Sequence, residues 1–303
     1  MIAARNNPLR DPLDFYHGLL EISGIERTAV SESPVLILGE PGTGRSNLAR
    51  IIHEASPRRD RILVEIDVAS LPSDLFESEL FGHGEGAFTG ADTAQIGKIK
   101  RADGGSAVLD HIEDLPLLTQ PKLLRLLAEK RFSPIGLDEI GVDVRFIAIG
   151  SQDLAWRVEQ GLFRRDLYHR LDVLTLWLPT VAEQRDRVSE IVERLLADLR
   201  TRLGRPKLRL TERAIKWMGV YTWPGNLREI RNVLERTAVL TESSMLDPSP
   251  PDEQDRPRAL VEVERVEILK ALSYTRGHQG KAAALLGISR KALWQKRRRL
   301  DLP

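Results

Sequence analysis

Short apolar runs alternate with helical periodicity over the first 180 residues. "SPVLILGEPGTGRSNLARIIHEAS" predicts a buried strand, a glycine turn and a helix. "RILVEIDVASL" predicts a second strand running into a loop, and "GGSAVLDHIEDL" a third that ends in acidic residues. "QPKLLRLLAEKRF" places Leu123, Leu124 and Leu127 at helical spacing. "VDVRFIAIGSQDL" and "LDVLTLWLP" complete five strands. Strands alternating with helices imply an α/β domain built on a parallel sheet with helices on both faces. From about Val181 to Leu240 the pattern is helical only, which predicts a helical lid. "DPSPPDEQDRPR" breaks it with proline and charge and reads as a linker. From Ala259 onward the pattern is helical again and ends in a basic run, a small all-α domain. No internal repeat is present. The expected segments are 1–33, a short N-terminal stretch; 34–178, the α/β part; 179–245, the lid; 246–258, the linker; and 259–303, the C-terminal domain.

Composition adds limits. The 303 residues are 42% hydrophobic and 29% charged, enough apolar content for a globular core, and the net charge of +1 directs attention to local charge instead. The chain has no cysteine, which removes disulfide and thiolate chemistry. The N-terminus carries no apolar signal core and no run is long enough for a membrane span, so a cytoplasmic protein is expected.

The candidate chemistry begins at "GEPGTGRSNLAR". Gly39, Gly42, Thr43, Gly44 and Ser46 follow the spacing of a phosphate-binding loop, in which backbone N–H groups and a helix N-terminus cradle phosphate oxygens. The usual lysine is replaced by Arg45, which keeps the charge but spreads it over a planar fork. Ser46 can offer a hydroxyl to a metal ion, and Asp110, at the end of the third strand about 65 residues on, sits where such sites hold magnesium. A bare glycine turn and an ordinary strand-end carboxylate are the alternatives.

Five ordered motifs then point to a family. They are the phosphate loop, "ESELFGHGEGAFTGAD", "GLFRRDLYHRLDVL", "WPGNLREIRNVLER" and "AAALLGISRKALWQKRRRL". The chain resembles bacterial sigma-54-dependent transcriptional activators, enhancer-binding proteins of the AAA+ class, from about Pro34 onward, without an N-terminal regulatory domain. The resemblance implies ATP and magnesium as ligands, assembly into a homo-oligomer between dimer and ring, and contact with sigma-54 RNA polymerase through the hexapeptide Gly86, Ala87, Phe88, Thr89, Gly90 and Ala91. It implies arginine fingers at Arg164 and Arg170, donated to a neighbouring subunit, and a nucleotide-sensing Arg228. Trp223 and Pro224 are expected to shape a turn.

Against that family pattern, several catalytic positions depart. Arg45 replaces lysine, and Ser46 stands where glutamate is usual. His111 replaces the water-polarising glutamate, and Asp67 its asparagine partner. Gly150 and Ser151 replace a Thr-Asn pair, and "PTVAEQR" replaces the turn after the fifth strand. Loss of a water-orienting group costs on the order of a hundredfold in rate. The expectation is a nucleotide pocket that hydrolyses poorly.

The C-terminal segment resembles a Fis-type helix-turn-helix. Lys281–Leu286 would be its first helix, Gly287 its turn and Ser289–Leu300 its recognition helix, with Ile288, Leu293 and Leu300 facing the core. Ser289, Arg290, Ala292, Gln295 and Lys296 are expected to face DNA, and six basic residues without an acid lie between Arg290 and Arg299. The leading reading is therefore a DNA-binding regulator that contacts sigma-54. The rivals are an active ATPase using His111 as base, a non-hydrolysing regulator that uses its pocket as a ligand sensor, and a partner in a mixed ring with a competent paralogue.

Overall fold

A computed structural model describes residues 25–72, 75–250, 268, 269, 271, 272, 274, 275 and 278–299. The chain divides into two compact units, 1–248 and 249–303.

In the first unit, α1 (Ile25–Val30) precedes β1 (Val35–Gly39) and α2 (Arg45–Glu54). β2 (Leu63–Asp67), β3 (Ser106–Asp110), α3 (Gln120–Glu129), β4 (Arg145–Gly150), α4 (Arg165–Leu171) and β5 (Leu174–Leu178) follow. The five strands form one parallel sheet in the order β2-β3-β4-β1-β5. All five residues of β1 are buried, because helices cover both faces of a parallel sheet. Alternation along β1 divides the core. Val35 and Ile37 join one apolar cluster, Leu36 and Leu38 the other. As expected, α3 buries Leu123 and Leu127, with Leu124 partly covered.

Residues beyond β5 add α5 (Val188–Leu203), α6 (Glu212–Val220) and α7 (Asn226–Leu240). α5 stops at Gly204, whose left-handed backbone suits glycine. α6 is capped by Thr211, whose Oγ1 accepts a hydrogen bond from Ala214 N at 3.1 Å. The apolar faces of these helices, including Leu195, Leu196, Ile230 and Leu234, share one core cluster with Ile37 and Ile52 of the α/β part. Lid and sheet are thus held by common packing.

Three details differ from the sequence reading. The lid is not wholly helical, because Arg209–Leu210 pairs in parallel with Met245–Leu246. Leu246, expected to open the linker, is fully buried in the lid core. The third concerns the expected N-terminal stretch, whose residues 25–30 form a docked helix. Ile25 is buried, and Arg145 donates to Thr28 O and Ala29 O at 2.7 and 2.8 Å. Isolated residue types do not reveal such pairings; they need the sheet to bring distant segments together.

In the second unit, α8 (Gln279–Leu285) and α9 (Arg290–Arg299) flank Gly287, whose φ is 66°. Leu293, Ala282, Ala283 and Ile268 form its small core, with Ile288 packed against it. Leu300 lies outside the described residues. Among the described residues no helix is long and apolar enough to cross a membrane.

Candidate functional site

The C-terminal ends of the parallel strands carry the expected constellation, the usual place for a site in an open α/β sheet. The glycine loop joins β1 to α2. Its Gly42 has φ 85°, and a Cβ there would lie 2.3 Å from Gly225 O of the lid, so both backbone conformation and space demand glycine. Thr43 is buried and its Oγ1 donates to Glu40 O at 2.7 Å, which stiffens the turn. Gly39 has no room for a side chain because Leu178 O stands 2.9 Å from a Cβ built there.

The cleft, about 270 Å³, is lined by Gly42, Gly44, Arg45, Ser46, Asp110, His111, Arg228 and others, including Arg50 and Arg231, which the sequence reading did not single out. Ser46 Oγ donates to Asp110 Oδ2 at 2.9 Å. The two candidate metal-binding oxygens therefore converge. Among the described residues no group of three or more His, Asp or Glu is placed to hold a metal alone. Two hard oxygen donors fit magnesium, which commonly takes few protein ligands and completes its shell with water and substrate phosphates.

The replaced residues have new partners. In the parallel register Asp67 pairs with Asp110, which brings β2 and β3 to an end side by side. His111 follows in the left-handed region, φ 56°, and its Nδ1 lies 2.9 Å from Asp67 Oδ1. Partial burial opposes the charged ring. The hydrogen bond with Asp67, helped by the charges of Asp110, Asp67 and Glu113, outweighs it and holds the His111 pKa above the ordinary histidine value. His111 and Asp67 thus form a pair at the positions where the family resemblance implies a glutamate and an asparagine.

Arg45 departs most from its expected role as a phosphate ligand. Its side chain borders the cleft but is only 8% exposed, and Nη1 donates to Gly39 O at 3.0 Å and Gly150 O at 2.6 Å. The cation lies on strand-end carbonyls of β1 and β4. Ser151, a catalytic candidate at the position of the family's Thr-Asn pair, donates to the Asp153 carboxylate and is not among the cleft-lining residues.

Arg228 and Arg231 approach from α7 of the lid. The lid is tied to the loop by Asn226, a residue the sequence reading missed. Its Nδ2 donates to Glu40 Oε2 and Pro41 O, both at 3.2 Å, and its Oδ1 accepts from Val181 N at 2.9 Å. Arg228 N adds a bond to Gly42 O at 3.2 Å. A polar residue after the "WPG" turn was the available signal. Trp223 shapes this corner as expected, fully buried against Trp217 and Tyr221 with Nε1 donating to Met218 O.

Arg164 and Arg170 lie outside the cleft lining and are exposed. Arg164 makes a bidentate pair with Asp166, at 3.0 and 2.7 Å, which raises the Arg164 pKa and lowers that of Asp166. Arg170 donates to Leu127 O at 3.1 Å.

The hexapeptide loop closes on itself through Gly86 N to Ala91 O, 2.8 Å, and Ala91 N to Phe88 O, 3.0 Å. Thr89 is exposed, while Ala91 is buried and offers no contact surface. Phe88 is 37% exposed and its ring meets His83 edge-on at 4.9 Å, so the chain itself covers part of the ring.

In the second unit Ser289 Oγ accepts from Ala292 N at 3.1 Å, capping α9 and leaving its O–H proton to donate. Arg290 is exposed, and Ala292 and Lys296 are partly exposed. The side chain of Gln295 lies outside the described residues.

Comparison with known proteins agrees with this architecture. Residues 20–177 match the sigma-54 interaction domain, 182–256 the AAA+ ATPase lid domain and 259–300 the bacterial regulatory protein, Fis family. The chain is 37% identical over 296 residues to the response regulator protein PilR of Pseudomonas aeruginosa, covering 92% of this chain and 66% of the relative. It is 39% identical over 287 residues to the transcriptional regulatory protein ZraR of Escherichia coli, covering 91% and 65%. The chain thus spans just under two thirds of these relatives. Crystal structures of NtrX from Brucella abortus match with a TM-score of 0.67. One, in complex with ATP, is 28% identical and covers 99% of this chain and 69% of that one; another is in complex with ADP. The chain belongs to the sigma-54 interaction domain family, with an AAA+ lid and a Fis-type helix-turn-helix.

Proposed function

We propose that this protein is a DNA-binding transcriptional regulator of sigma-54 RNA polymerase. Its AAA+ core binds ATP with magnesium but hydrolyses it poorly, and the loop 86–91 makes the polymerase contact. The observation that carries this reading is a contrast. The loop motif is intact, with Thr89 exposed and Phe88 partly so, while the groups that would drive hydrolysis are replaced and committed elsewhere. NtrX structures in complex with ATP and ADP support a nucleotide in the corresponding cleft.

Ser46 and Asp110 would hold the magnesium, whose charge would neutralise phosphate oxygens. The loop N–H groups would bind phosphate, and Arg228 and Arg231 would close the cleft from the lid. Arg164 and Arg170, exposed and outside their own cleft, are available to a neighbouring subunit once Arg164 leaves Asp166. That arrangement supports assembly as a homo-oligomer, or in a mixed ring with a competent paralogue. Arg290 and Lys296 on α9 would meet DNA in the cytoplasm.

The His111–Asp67 pair favours a second reading. Asp67 orients the ring through Nδ1, and the other ring nitrogen can then accept a proton from water. In that case the cleft is a slow but working ATPase. Phosphate release at saturating Mg-ATP decides between the two. Negligible release that Asp110→Ala leaves unchanged supports the first. A rate comparable to ordinary family members, lost in Asp110→Ala and His111→Ala, establishes the second.

A further inference from the structure

The position of Arg45 carries a consequence for ligand choice. Parallel pairing sets Leu38 of β1 beside Gly150 of β4, so the carbonyls of Gly39 and Gly150 end neighbouring strands. One nitrogen of the guanidinium, Nη1, donates to both. Position 150 contributes only its backbone here. A Cβ there would meet Leu38 Cδ2 at 3.1 Å and side chains of Ile112 and Leu154 at 3.3 Å. Turning Arg45 outward would strip two acceptors of a charged, buried donor, a change that buried polar groups resist strongly.

The remaining binding groups are unequal along a phosphate chain. Loop N–H groups and the start of α2 act on the first two phosphates, whereas the loop cation serves the outer ones. Arg228 and Arg231 line the cleft from the lid, and neither makes a side-chain ion pair among the described residues. Beyond Ser46 the cleft is lined by Asp110 and by His111, whose ring holds the Asp67 carboxylate behind it. A third phosphate would therefore approach Asp110 without a loop cation beside it, its charge left to the lid arginines and the metal. Resting on the reading of the cleft as a nucleotide site, we infer that it holds a nucleoside diphosphate in preference to the triphosphate, and that Arg45 is the residue setting this preference.

Calorimetric titration of the full chain with ADP and with a non-hydrolysable imido analogue of ATP, both with magnesium, tests it. ADP is expected to bind about tenfold tighter or more. Arg45→Lys supplies a compact ammonium free to leave the carbonyls, and should bring the two affinities together by strengthening the analogue. Arg45→Gln keeps a donor but no charge, and should leave ADP affinity within about threefold. Equal binding of ADP and analogue by the unaltered protein overturns the inference, as does loss of ADP binding in Arg45→Gln with unchanged circular dichroism. If Arg45→Lys fails to fold, those two measurements still decide. Binding of neither nucleotide to the folded protein overturns the reading of the cleft itself, an outcome distinct from equal binding of both.

Discussion

The cleft and the hexapeptide loop lie in the same compact unit but are built in opposite ways. In the cleft the residue types differ from those the family resemblance implies, and each of them has a polar partner. Arg45 rests on two carbonyls, His111 pairs with Asp67, and Ser151 pairs with Asp153. In the loop the motif is unaltered, yet its tip is exposed and makes few contacts. A Cβ added to Gly86 or Gly90 would meet nothing within 4 Å, and Thr89 faces solvent. Arg45, His111 and Ser151 therefore each have a polar partner within the chain. The exposed tip of the loop, Gly86, Thr89 and Gly90, has no packing within the chain to explain it, which fits a contact with another molecule.

Removing the loop's hydroxyl gives the largest expected effect. Thr89→Ala should abolish activation at a sigma-54 promoter, leaving DNA binding by gel shift and oligomer size unchanged. Full activation by this variant would break the contrast, because the loop would then be as idle as its exposure allows. Next comes restoration of the lost pair. His111→Glu combined with Asp67→Asn should raise ATP turnover by about tenfold or more, measured as phosphate release. No gain, with nucleotide still bound, would show that Arg45 and Ser151 limit the cleft instead.

Smaller effects probe the cleft's shape and the distant DNA-binding unit. Asn226→Ala removes three hydrogen bonds between lid, loop and Val181 and should destabilise the protein by about 1–3 kcal/mol. Denaturant midpoints would measure this, and an unchanged midpoint would mean that apolar packing alone seats the lid. Arg290→Ala should weaken DNA binding by about 1–3 kcal/mol, whereas Lys296→Ala should mainly reduce the salt slope of affinity by about one. Gel-shift titrations at several salt concentrations separate the two. Either substitution altering ATP turnover in the absence of DNA would contradict the division of labour drawn here.

Much of the frame could be read from residue order. The five strands, the glycine turn, α3 and the turn at Gly287 rest on local periodicity and turn chemistry, which neighbours in sequence determine. The convergence of Ser46 and Asp110 was also readable, because a strand end and a phosphate loop in an alternating α/β chain meet at one edge of the sheet. The buried Leu246 and the parallel pair 209–210 with 245–246 were not readable, since each depends on a partner more than thirty residues away.

The sequence by itself determined which groups the cleft lacks: no loop lysine, no glutamate at 111, no asparagine at 67. It also determined that the hexapeptide and the basic recognition helix are present. Only the tertiary structure decided what the substitutes do. Whether Arg45 reaches into the cleft or back to the strands depends on the register that sets Leu38 beside Gly150. Whether Asp67 and His111 meet depends on the register that sets Asp67 beside Asp110. A side chain's charge is written in its residue type, but its partner is chosen by the strands and helices that surround it, and burial makes leaving that partner costly.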